Sequence, residues 1–163
     1  MILTGSKIKK SIKDKSIYIH PFSDSMVNPN SYNYHLGEKI KVYKGHEKER
    51  AIFEEIVIPQ EGMVLEPHML YLASTMEHIG SDIYAMSLIG KSSLGRLGLF
   101  LQVSANLGHT GSSHRWTLEL VAAKKIKIFP KMLIGQVSFW INTGKIEKNK
   151  GTFANFSTIR ESI

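Results

Sequence analysis

GKSSLGRLGLFLQVSANLGHTGSSHRWTLEL, residues 90–120, is the stretch whose reading decides the fold class. It opens on a turn of small residues (Gly90, Ser92, Ser93, Gly95, Gly98) carrying Lys91 and Arg96. An apolar strand, a second glycine-rich turn and another apolar strand with one carboxylate, Glu119, complete it. In a Rossmann or P-loop fold a glycine-rich loop runs into a helix whose N-terminus carries the phosphate. No glycine-rich loop in this chain is followed by a helical pattern, so those folds are excluded and any phosphate is held another way.

Working outward, the same rhythm of short apolar runs and turn residues continues on both sides. DIYAMSLIG (82–90) leads into the stretch as a strand, and KKIKIFPKMLIGQVSFWIN follows it as two strands separated by a Pro-Lys turn. Upstream, KIKVYK (39–44) and AIFEEIVIP (51–59) form a hairpin around the charged loop GHEKER. VNPNSYNYHLG is a turn into a strand closed by Gly37, SIYIHPF is a strand ending at Pro21, and MVLEPHMLYLASTMEHI breaks at Pro67 between apolar runs. Residues 4–13, TGSKIKKSIK, begin on a capping residue and place Ile8 and Ile12 four apart, as a short amphipathic helix requires. Roughly ten short strands and one helix predict an all-β, β-dominated barrel or sandwich. The 163 residues suit a single domain, 1–163, with the polar, poorly periodic segment 143–163 as a lid or tail.

Composition narrows the chemistry. With no cysteine, the chain carries no disulfide, no thiolate zinc site and no cysteine nucleophile. There is no long uninterrupted apolar run and no secretory-type leader, so a cytoplasmic protein away from membranes is expected. The net charge of +7 favours an anionic partner. Its lysines are spread over the N-terminal part, 124–131 and 145–150, without an arginine-rich helix or interleaved aromatics, which argues against polymeric nucleic acid.

Two features of the central stretch have the makings of a site. Backbone N–H groups of the GKSSLGRLG turn can approach an anion, with fixed charge from Lys91 and Arg96 and short hydroxyl donors from Ser92 and Ser93. In TLEL, alternation puts Thr117 and Glu119 on one face and Leu118 and Leu120 on the other. With the leucines in the core, Glu119 meets a surface, a cavity or a subunit interface. Taken one at a time, a solvated cationic turn and an exposed strand glutamate explain the same residues.

In combination these segments resemble the deoxycytidine triphosphate deaminases of the trimeric dUTPase-like superfamily. GKSSLGRLGL resembles the family's G-R-S-S-L-G-R-L-G signature. VSANLGHTGSSHRWTLEL matches its V-T-A-x-x-I-D-P-G-F-x-G-x-x-T-L-E-L segment in length, with Ala105 and Glu119 correctly spaced. MILTGSKIKKSI, IHPF, NPNSYNYHLG and KMLIGQVSFW extend the likeness almost end to end.

The resemblance implies a distorted dUTPase-like β-barrel (β-clip) assembled as a homotrimer, with active sites between subunits. It implies hydrolytic loss of ammonia from a cytosine deoxynucleotide, dCTP to dUTP, some members continuing to dUMP and pyrophosphate. Glu119 is then the general acid/base, Ser92 and Arg96 position water, ring and glutamate, and the Ala105 backbone helps to hold the water. Lys91, Ser93, His109, Thr117, Gln136 and Lys150 are the expected substrate contacts. The chain lacks the Pro-Cys-x-x-Cys segment of the zinc deaminases. No protein-held metal is therefore expected, and magnesium rides on the phosphates of the nucleoside triphosphate.

Departures cluster near the sugar and the tail. His109 stands where the family has an aspartate, Asn33 and His35 replace an acidic and a basic residue, Ser112 replaces an aromatic and His114 a glycine. Lys148, Lys150 and Gly151 stand where the family's lid carries basic and glycine residues. These changes leave open a deaminase of altered nucleotide specificity, a dUTPase-like pyrophosphatase and a non-catalytic nucleotide-binding homologue.

Overall fold

The computed structural model of the chain describes residues 1–102, 104–151 and 157–159. In chain order its elements are α1 (Gly5–Lys13), β1 (Tyr18–His20), a 3-10 turn (Asp24–Met26), β2 (Tyr32–Glu47), β3 (Arg50–Val57), β4 (Met63–Leu65), β5 (Tyr71–Thr75), β6 (His78–Gly80) and β7 (Tyr84–Gly90). They continue with α2 (Ser92–Arg96), β8 (Leu99–Leu101), β9 (Leu107–Gly108), β10 (Ser113–His114), β11 (Thr117–Ala122), β12 (Ile126–Ile128) and β13 (Leu133–Ile141). The β-dominated architecture with a short N-terminal helix is the one expected.

β2 organises the main sheet. Its first half pairs with β13 and its second half with β3 and β5. The sheet runs β8-β11-β5-β2-β13-β7-β9, with β3 also on β2. Register shifts interrupt the β2 pairings between Leu36 and Ile40 and between Tyr43 and Gly45. Such bulges bend a strand, and here they curl the sheet into a half-barrel. Inside the curve lie Leu36, Ile40, Ala73, Leu118, Leu120 and Phe139, all fully buried. Gly135 lets β13 pass over Tyr34, because a Cβ there would lie 2.2 Å from the tyrosine hydroxyl. That hydroxyl donates to the Ile89 carbonyl at 3.2 Å, and burial pushes it well above the usual tyrosine range.

Three expectations are corrected. NSYNYHLG and KIKVYK are one continuous strand rather than two, since the chain runs straight through Gly37 in close contact with Ser74. The hairpin turns at Lys48 and Glu49 instead of through a six-residue loop, helped by the left-handed Lys48 (φ 54°). GKSSLGRLG holds a five-residue helix, α2, where a turn was expected. One turn of i→i+3/i+4 bonds forms there between strands, too short for hydrophobic periodicity to reveal. Among the described residues no helix is long and apolar enough to cross a membrane.

β1, β6 and β10 form a separate small sheet in which His20 pairs with His78. His114 stacks on Trp116 with ring centroids 4.2 Å apart, occupying the position of the family's glycine. Desolvation lowers the pKa of both His78 and His114; Arg115 and His20 also act on His78, and His78 itself acts on His114. A histidine held neutral by folding binds its proton more readily in the unfolded chain, so stability is present above the ordinary histidine value and is lost as pH falls below it. Thermal midpoints should therefore fall as pH drops below about 6.5, and His114→Phe, which keeps the stack, should flatten that slope.

Candidate functional site

The central stretch places the expected site residues in two groups. The first lies at the end of β7. Lys91 caps α2, its N–H donating to the Ile134 carbonyl at 3.2 Å, and Ser92, Ser93 and Arg96 on α2 are exposed. Gln136 on β13 lies opposite Ile89 of β7 and accepts from the Ser31 hydroxyl at 2.6 Å, so its carbonyl is already held.

The second group is built on β11. Leu118 and Leu120 are fully buried, while Thr117 and Glu119 occupy the outer face, as the alternation predicted. Gln102, just after β8, ties this group together. Its backbone N–H donates to the Glu119 carbonyl (3.2 Å) and its side-chain oxygen accepts from the Glu119 N–H (2.7 Å). Its side-chain nitrogen donates to the Ala105 carbonyl (3.0 Å). To do this a buried, non-glycine residue adopts a left-handed backbone (φ 51°), at a cost of about 1 kcal/mol. The bridge sets the main-chain carbonyl of Ala105 beside the strand position that carries the carboxylate. Among the described residues the carboxylate accepts one long bond, 3.5 Å, from the Ser104 hydroxyl.

Gln102→Ala strands a buried N–H and frees the Ala105 loop. The expected loss is about 2 kcal/mol of unfolding free energy, measured by denaturant titration, accompanied by a drop in turnover.

Among the described residues no hydrogen bond or ion pair joins the two groups within one chain. The Gly98 carbonyl accepts from the Ala123 N–H at 2.8 Å, and Ala123 is four residues along the chain from Glu119, a separation of about 13 Å in a strand. Arg96 precedes Gly98, and none of the described ion pairs or hydrogen bonds joins α2 to Glu119. Large apolar side chains are left exposed around both groups: Leu97 at 53%, Phe100 at 45%, Leu107 at 59% and Val121 at 39%. Phe100 and Val121 are cross-strand partners on the outer face that carries Glu119.

A cavity of about 470 Å³ opens on the Thr117 side, where Ser74, the cross-strand partner of Thr117, joins Lys39, Glu55, Arg115 and Lys131 in its wall. Ile159 also lines it and is buried. His109 and Lys150 are exposed; residues 152–156 and 160–163 of the expected lid lie outside the described residues.

Comparison with known proteins bears on this arrangement. The dCTP deaminase-like family profile matches residues 2–142. A protein from Hathewaya histolytica, "dCTP deaminase, dUMP-forming", is 40% identical over 167 aligned residues, covering 100% of this chain and 96% of its own. The chain belongs to the dCTP deaminase-like family. A "dCTP deaminase" from Rhodopirellula baltica is 37% identical, covering 100% of this chain and 84% of that protein. The crystal structure of a 2'-deoxycytidine 5'-triphosphate deaminase from Agrobacterium tumefaciens superposes with a TM-score of 0.70 at 20% identity, over 86% of this chain and 48% of that one, which shows the shared fold.

Gln102 and Glu77 of this dCTP deaminase-like chain are not among the residues its motifs single out. Gln102 is a polar residue inside the apolar run LFLQV, a break in pattern that could have flagged it. Glu77 is buried and bonded to His35, through the His35 backbone N–H (2.9 Å) and ring Nδ1 (2.5 Å). Asn33 accepts from the Asn28 side chain at 2.9 Å. Thus both unusual residues of NSYNYHLG are engaged within the fold.

Proposed function

We propose that this protein deaminates dCTP by water addition, that it needs no zinc, and that it acts as a homotrimer of distorted β-barrel subunits with shared sites. The observation that carries the reading is the Gln102 bridge, which holds Glu119 and the Ala105 carbonyl together in a chain matched end to end by dCTP deaminases. A water bound between the Ala105 carbonyl and the Glu119 carboxylate gives a proton to Glu119 as its oxygen adds to C4 of cytosine. Glu119 passes that proton to ring N3, then takes the proton of the new C4 hydroxyl and gives it to the departing amino group, so ammonia leaves and the C4 carbonyl and N3–H of uracil remain. Ser92 and Arg96 of a neighbouring copy complete the site, and the exposed apolar residues around both groups are what that copy covers. Lys91, Ser93, His109, Thr117, Gln136 and Lys150 line the nucleotide's path, with segment 143–163 as its lid.

Among the described residues no three His, Cys, Asp or Glu side chains come together as metal ligands. In this reading magnesium is carried on the phosphate oxygens of the substrate. Deoxynucleotide supply in the cytoplasm is the setting that such a reaction implies.

A second reading concerns the product. Relatives at 40% identity are named dUMP-forming, whereas the turn at His109 contains no carboxylate. Following ammonia and pyrophosphate from dCTP, CMP and dUTP tests both. Ammonia from dCTP supports the deaminase, and accompanying pyrophosphate extends it to dUMP formation. Absence of ammonia with every cytosine nucleotide overturns the proposal.

A further inference from the structure

The turn 109–112 that carries His109 is held from two sides. On one, the Gly111 N–H donates to the Ser81 carbonyl (2.7 Å) and the Ser81 N–H to the Ser112 carbonyl (3.3 Å). On the other lies the chain leaving β13. The Asn149 N–H donates to the Thr110 carbonyl (2.7 Å), and the Asn149 side-chain nitrogen donates to the Ser112 hydroxyl (2.8 Å). The Asn149 side-chain oxygen accepts from the Gly151 N–H (2.9 Å), which shapes the chain around it. Asn142 adds bonds to the Thr110 hydroxyl (2.9 Å) and the Ile83 carbonyl (2.8 Å), and Lys148 pairs with Asp82 at 3.1 Å.

The fit is close. A Cβ on Gly111 would lie 2.7 Å from the Lys148 Cβ and 3.0 Å from the Asn149 nitrogen, and Gly111 has a left-handed φ of 89°. Thr110 and Ser112 are buried under this strap, whereas His109 between them and β9 stays exposed. Ser112 is small and polar, which is what leaves room for Asn149 and gives it an acceptor. His109 is four residues from Ala105, at most about 14 Å along the chain, a reach comparable with that from base to phosphates in a nucleotide.

We infer that Asn149 is a positioning residue: by pinning the 109–112 turn to the chain beyond β13, it fixes where His109 meets the nucleotide. The inference rests on the deaminase reading and adds a determinant of affinity to it. Asn149 touches neither the ring nor the water in this account, so its removal loosens substrate binding and spares the chemical step.

The test is steady-state ammonia release from dCTP by wild type, Asn149→Ala, His109→Ala and the double variant. Asn149→Ala is expected to raise KM about tenfold with kcat within about twofold. In the His109→Ala background the same change is expected to raise KM less than about twofold, since the group it positions is gone. A wild-type KM in Asn149→Ala, an equal fall in kcat, or an undiminished effect without His109 overturns the inference while the deaminase reading stands. A wild-type protein that releases no ammonia overturns the deaminase reading itself.

Discussion

Glu119→Gln chains are expected to release ammonia from dCTP about a thousandfold more slowly than wild type, with little change in unfolding temperature. The two halves of this result have separate origins. Glutamine keeps the shape of the side chain but cannot take a proton from water and return it to the leaving amine. The main-chain bonds that fix the position, to Gln102 in both directions, are untouched by the substitution. Among the described residues the carboxylate contributes one long bond, from Ser104, so its loss is expected to cost the fold little. A variant that loses activity together with its thermal transition would point to a structural glutamate instead; a fully active variant would remove Glu119 from the chemistry.

His35→Ala is expected to cost about 3 kcal/mol of unfolding free energy, the largest effect on stability anticipated away from the hydrophobic core. Glu77 is 1% exposed and His35 21%, so the carboxylate has almost no access to water. With the ring gone, one carboxylate oxygen keeps the His35 backbone N–H while the other loses its partner. Burial, and second to it the same carboxylate, raises the pKa of the Tyr34 hydroxyl. Adding Glu77→Gln to His35→Ala should recover part of the loss, because it removes the uncompensated charge. Denaturant titration at one fixed protomer concentration measures both values. A loss below about 1 kcal/mol would contradict the account of this pair.

What was legible in the sequence follows from which physical signals are local. The alternation of TLEL located the core leucines and the outward Glu119 because strand periodicity is a property of a few residues. Ile8 and Ile12 located α1 for the same reason. One turn of helix has no period to detect, so α2 leaves no local signal, and Gly37 reads locally as a stop because glycine usually ends a strand. In β2 it serves instead for close approach to Ser74. Contacts between distant residues were beyond local reading. Nothing near Ser112 reveals that Asn149 lies upon it, and nothing near Glu77 reveals its partner 42 positions earlier. The candidate site shows the same division. Its catalytic residue types stand in one continuous stretch, with Gln136 and Lys150 outside it, but their arrangement in two groups with no described bond between them appears only from the fold.

That separation gives the account its sharpest test. Glu119→Gln and Arg96→Gln chains, each inactive alone, are unfolded together and reassembled in equal amounts, and ammonia release from dCTP is measured. If each site takes its glutamate from one chain and its arginine from a neighbour, about a quarter of the sites are intact by random assembly and about a quarter of wild-type activity returns. A mixture that assembles fully but stays as inactive as its components would place Glu119 and Arg96 in the same chain's site and contradict the shared active site.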